Sequence, residues 1–134
     1  MEPSKLFKRL VFVTTLTQVV WSVLPWLDRF PSAEVVEALS WSQHGAILPL
    51  PSAIFWLSLL LNVAAAIGLC SFSSSARFLF VALTAVDYLW GPLNGVAVDT
   101  GLGATLGGLM TLGKGAILAL AFTSPLRERF LAQA

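Results

Sequence analysis

The 134-residue chain is 57% hydrophobic and only 11% charged, with a mean hydropathy of +0.82 and a formal net charge of +1. A domain of this length leaves much of its surface exposed, so a soluble globular protein could not hide so many apolar side chains. A soluble domain and a disordered chain are therefore excluded, and near-neutral charge argues against a nucleic-acid partner. The expected surroundings are a lipid bilayer, and the expected organisation is one domain over residues 1–134.

A spanning helix needs roughly 20 mostly apolar residues, and four stretches supply them. The first covers residues 10–27, preceded by Lys5, Lys8 and Arg9 and closed by Asp28. It is longer than a signal-peptide core and no small-x-small cleavage site follows it, so it reads as a retained helix. The long connector after it, residues 28–50, carries the signals of a short amphipathic helix. Ser32 is its N-cap, Glu34 and Glu37 sit near its positive end, and Val35, Val36 and Leu39 form its apolar side. Gly45 is its expected stop and His44 reads as a capping or surface residue. The second span, residues 52–71, follows Pro49 and Pro51. The third, residues 76–98, contains Asp87, and Pro92 is expected to kink it. The fourth, residues 100–123, contains Lys114 and ends at Pro125, before Arg127, Glu128 and Arg129. The fold class is thus all-α, an integral membrane four-helix bundle.

Orientation follows from the basic residues of the short flanks. With the N-terminus inside, Lys5, Lys8, Arg9, Arg77, Arg127 and Arg129 lie on the inner side and only Arg29 on the outer. Both termini are then cytoplasmic and the amphipathic helix is external. The expected location is a plasma membrane, of the bacterial inner-membrane kind.

Two glycine patterns imitate nucleotide-binding loops. Residues 101–107 look like a dinucleotide fingerprint, and residues 108–115 match a P-loop until Gly115 stands where Ser or Thr must hold the metal. Both lie within an apolar run long enough to span, so no nucleotide is assigned. The same glycines belong to a stripe that recurs every four residues: Gly103, Gly107, Thr111, Gly115, Ala119 and Thr123. Small side chains let helix backbones approach closely in lipid. The stripe is expected to pack against a protein neighbour, with Gly107 and Gly115 closest. That neighbour is another helix of the chain, a membrane protein partner or a second copy.

Catalytic and metal chemistry find little support. The only cysteine, Cys70, and the only histidine, His44, are far apart, so no metal site or cofactor is expected. Cys70 has no basic partner nearby in sequence, and no serine has a base within the spans. The sequence leans against an enzyme.

The informative groups are polar residues at one depth. Gln18, Asn62, Asp87 and Lys114 each lie nine or ten residues from the inner end of their span, about 14–15 Å deep at 1.5 Å per residue. Asp87 and Lys114 are expected to pair, because an isolated charge at a helix centre costs roughly 2.5–3.5 kcal/mol on insertion scales. Two function classes follow. The first is a non-enzymatic accessory, assembly or immunity-type subunit acting through helix contacts. The alternative is a small-solute or ion transporter or channel, as an oligomer, using the Asp87–Lys114 pair. A closed, fully paired polar layer favours the first; a cavity reaching Asp87 favours the second.

Overall fold

Among the described residues every regular element is a helix, and four are long and apolar enough to cross a membrane. The computed structural model describes residues 2–27, 37–38, 40–48, 51–123 and 126–131. Its elements are α1 (Pro3–Leu27), α2 (Ser52–Cys70), α3 (Ser74–Trp90), a 3-10 turn (Gly91–Leu93), α4 (Gly101–Phe122) and α5 (Leu126–Leu131).

Local chemistry sets the element ends. Helix α1 begins seven residues before the expected start, because Pro3 occupies a first-turn position where its missing N–H is no loss. The Glu2 carbonyl accepts from the Lys5 and Leu6 N–H groups at 3.0 and 3.2 Å, so the basic residues ride on the first turns. Between α2 and α3 the chain reverses within three residues. The Ser73 N–H donates to the Gly68 carbonyl at 2.9 Å, Phe72 adopts a left-handed φ of 56°, and Ser73 caps α3 by accepting from the Ala76 N–H. The strain at Phe72 is offset by ring burial: it lies 5.9 Å from Phe7 and 5.3 Å from Phe130 between centroids. Gly68 has no room for a Cβ, which would overlap that of Ala76, so these two helices meet closely there. Thr100 caps α4 by accepting from the Gly103 N–H at 3.1 Å. Helix α4 is unbroken through both glycine-rich motifs, which therefore form no loop.

Three expectations are corrected. The third helix ends at Trp90 rather than at residue 98, and Pro92 terminates it instead of kinking it. Gly91 and Pro92 open a 3-10 turn, and Gly95 takes a φ of 81° that L side chains rarely adopt. The fourth helix was expected beside the third, yet its main neighbour is α1, while α3 and α4 barely touch. Helix α1 lays Thr14 against Gly113, where any side chain would overlap it, so these two helices meet closely there. Finally, the chain continues past Pro125 into α5, whose Leu126 and Phe130 are buried.

The helices run alternately up and down, so the Phe72 turn, the start of α1 and the helix α5 share one end, called here the terminal end. Its core contains Phe7, Leu69, Phe72, Ile117 and Phe130. At the opposite end, residues 37, 38 and 40 are helical and residues 41–45 form a turn, with Gln43 and Gly45 at positive φ. The expected start of the amphipathic helix, with Ser32, Glu34, Val35, Val36 and Leu39, lies outside the described residues. The segment after it is strapped to the chain beyond α3. Gln43 N–H donates to the Val96 carbonyl at 2.8 Å, Val96 N–H to the His44 carbonyl at 3.1 Å, and Ile47 N–H to the Leu93 carbonyl at 3.0 Å. A Cβ at Gly95 would come within 2.6 Å of the His44 carbonyl, so this strap needs glycine there.

Candidate functional site

The two charges inside the spans meet. Lys114 donates from Nζ to Asp87 Oδ2 at 2.7 Å, across the seam where α3 and α4 otherwise barely touch. The pair is lopsided: the lysine side chain is 4% exposed and the aspartate 37%. Lys114 belongs to the buried face of α4, with Gly103, Ile117 and Ala121, whereas Asp87 stands at the edge of α3.

Above this pair, toward the opposite end, lies a cavity of about 350 Å³ walled by all four long helices. Its size falls within the range of small-molecule sites. Gln18, Trp21 and Ser22 come from α1; Phe55 and Ser58 from α2; Asp87, Tyr88 and Trp90 from α3; Met110, Thr111 and Lys114 from α4. Of the four residues expected at one depth, the cavity therefore gathers Gln18, Asp87 and Lys114. Asn62 is buried outside its lining and donates to the Ser58 carbonyl at 3.0 Å, one turn away on α2. Its Oδ1 and the buried Thr84 Oγ1 have no partner among the described residues. The polar layer is thus present but incompletely paired.

The terminal end is packed rather than hollow. Phe7, Phe72 and Phe130 form an aromatic cluster, with Phe7 and Phe130 edge-on at 6.0 Å. Buried Arg77 lays its guanidinium 4.7 Å from the Phe122 ring and 5.3 Å from that of Phe130. It also donates to the Ala121 carbonyl at 3.5 Å, at the negative end of α4. An arginine counted in the sequence only as an orientation signal thus caps one helix from another. At the rim, Glu2 accepts from the Ser4 hydroxyl at 2.8 Å and from Arg129 at 3.2 Å. These bonds, the Ser4 hydroxyl first, hold the Glu2 carboxyl below its usual range.

The small-residue stripe divides. Gly103 is buried, and the Trp21 indole nitrogen lies 3.7 Å from the position of a Cβ on Gly107. Thr111 and Gly115 are exposed, and nothing lies within 4 Å of a Cβ at Gly115. Gly115 is therefore not at the closest contact within the chain; Gly113 is. The reason is helical geometry, since a four-residue step turns about 40° beyond a full circle. Gly103, Gly107 and Lys114 stay on one face, and the stripe rotates off it by Gly115. The sequence reading also missed Trp90 and Ser22 as lining residues, although each lies three or four residues from an expected one, Asp87 or Gln18.

No family model matches the chain, and neither the curated proteins nor the solved structures give a match. Function must be argued from the cavity itself.

Proposed function

We propose that this chain is a small multi-pass protein of a plasma membrane, of the bacterial inner-membrane kind, that binds and passes a small solute through the cavity at Asp87 and Lys114. The cavity reaching Asp87 carries this reading over that of a subunit working through helix contacts alone, for which a closed and paired layer is needed. Six basic residues at the terminal end support the placement of both termini in the cytoplasm. The cavity then faces outward and the aromatic cluster closes the cytoplasmic side. The thin seam between α3 and α4 is where the bundle can open, since few contacts must break there. Gly115 and Ala119, on the outward side of α4, suit close packing with a second copy.

Native mass spectrometry of the protein purified in mild detergent tests this reading. A small molecule that stays bound to the wild type and leaves the cavity-filling Ser58→Trp variant supports it. A stoichiometric protein partner, with no bound small molecule and no effect of Ser58→Trp, returns the assignment to an accessory subunit.

A further inference from the structure

The chemistry of the cavity narrows its ligand, on the reading that the cavity is a binding site. Its two charges neutralise each other, and the lysine is turned into the protein toward Asp87 Oδ2. What remains available is neutral. Gln18 lines the cavity, and its amide has no hydrogen-bond partner among the described residues. Ser22 is only 5% exposed, lines the same cavity, and its hydroxyl is likewise unpartnered there. An amide and a hydroxyl each donate and accept. Both stand on one turn of α1, four residues apart, so one ligand group reaches both. The facing walls are flat rings, supplied by Trp21, Phe55 and Trp90, and the buried Trp90 Nε1 adds a neutral donor with no partner among the described residues.

We infer that the ligand is a small, electrically neutral amphiphile: a hydroxyl or carboxamide group, read by Gln18 and Ser22, on a flat apolar body held between the aromatic rings. A net charge is disfavoured because Asp87 and Lys114 already satisfy one another. A charged ligand would meet no net counter-charge in the cavity, or would have to break that pair. A wholly apolar ligand would leave the Gln18 amide and Ser22 hydroxyl without partners.

Four probes of one shape test this: 2-naphthol, naphthalene, 2-naphthoate and 2-naphthylmethylammonium. Each is titrated calorimetrically at neutral pH into wild-type protein in nanodiscs, with Ser58→Trp protein as the blank for partition into lipid. The expected order places 2-naphthol about tenfold or more above naphthalene, the factor that one satisfied hydrogen bond supplies, and both charged probes below 2-naphthol. Gln18→Leu is expected to bring 2-naphthol down to the naphthalene level while naphthalene binding is unchanged. Tightest binding by the ammonium or the carboxylate overturns the neutral-ligand inference and leaves the cavity a binding site. The same holds for equal binding of 2-naphthol and naphthalene, or for a 2-naphthol preference that survives Gln18→Leu. If no probe binds above the blank, the inference falls; the bound-molecule experiment above then decides separately whether the cavity binds anything.

Discussion

The two ends of the bundle solve different problems with similar residues. At the terminal end, Phe7, Phe72 and Phe130 interlock, and the Arg77 guanidinium lies among rings and against a helix carbonyl. At the opposite end, Trp21, Phe55 and Trp90 are just as aromatic but surround a cavity, and the Gln18 and Ser22 side chains point to no protein partner among the described residues. Aromatic content alone therefore does not distinguish a core from a site. What distinguishes them is the space between the rings, filled by side chains at the terminal end and left open at the other.

Substitutions that separate the two ends sharpen this contrast. The largest effect is expected from Phe130→Ala, which empties a fully buried position and undocks α5; it should cost about 3 kcal/mol or more. Phe55→Ala, on the cavity wall, should cost under about 1 kcal/mol, because no packed neighbour is lost across the void. Denaturation in mixed micelles compares the two, and equal losses would erase the distinction between the ends.

Next comes the ion pair. Asp87→Asn leaves a lysine ammonium almost wholly buried, whereas Lys114→Met leaves a carboxylate that is one-third exposed. The first should destabilise by about 2–3 kcal/mol, the second by about 1 kcal/mol, and the double variant should recover most of the loss. A double-mutant cycle measures this, and strictly additive losses would mean that the two charges do not act as a pair.

The α4 glycines should show a smaller difference. Gly107→Leu pushes against the Trp21 indole and should cost about 1–2 kcal/mol, whereas Gly115→Leu meets open space in the single chain. Comparable damage at Gly115 in the membrane would reveal a partner packed there, and sedimentation of the wild type and Gly115→Leu would show whether it is a second copy.

The smallest effect concerns the rim of the closed end. Glu2 is held below its usual carboxylate range by the Ser4 hydroxyl and by Arg129. Its contribution is therefore fully present above that range and lost as pH falls through the lowered value. Protection of α5 amides, taken relative to the intrinsic exchange rate at each pH, should fall on acidification in the wild type, and fall less in Glu2→Gln.

Much of this architecture was legible in the sequence, because helices long and apolar enough to cross a membrane announce themselves by length and apolarity. The fourth helix was placed to within one residue at each end, since Thr100 is a strong cap and Pro125 a strong stop. The Asp87–Lys114 pair was legible because two charges at matched depth on consecutive helices have few other partners. The end of α3 was misplaced because the apolar run continues beyond Trp90, although Pro92 and Gly95 both signalled a break. Helix α5 was missed because six residues hold too little periodicity to separate Leu126 and Phe130 from a tail. The order of neighbours around the bundle was out of reach: connector length brings helix ends together and says nothing of which flanks fit. Here that fit includes a close approach, Thr14 against Gly113, that neither residue announces in the sequence.

The central claim is that the polar layer is reached from one end only. The most direct measurement is labelling of single cysteines in native membranes, in a Cys70→Ser background, with a membrane-impermeant thiol reagent applied to either side. Ser58→Cys, in the cavity wall, should react from the outer side alone, and Ala65→Cys, two turns deeper on α2 in the sealed core, from neither. Reaction of Ser58→Cys from the cytoplasmic side, or equal reaction at both positions, would contradict the account.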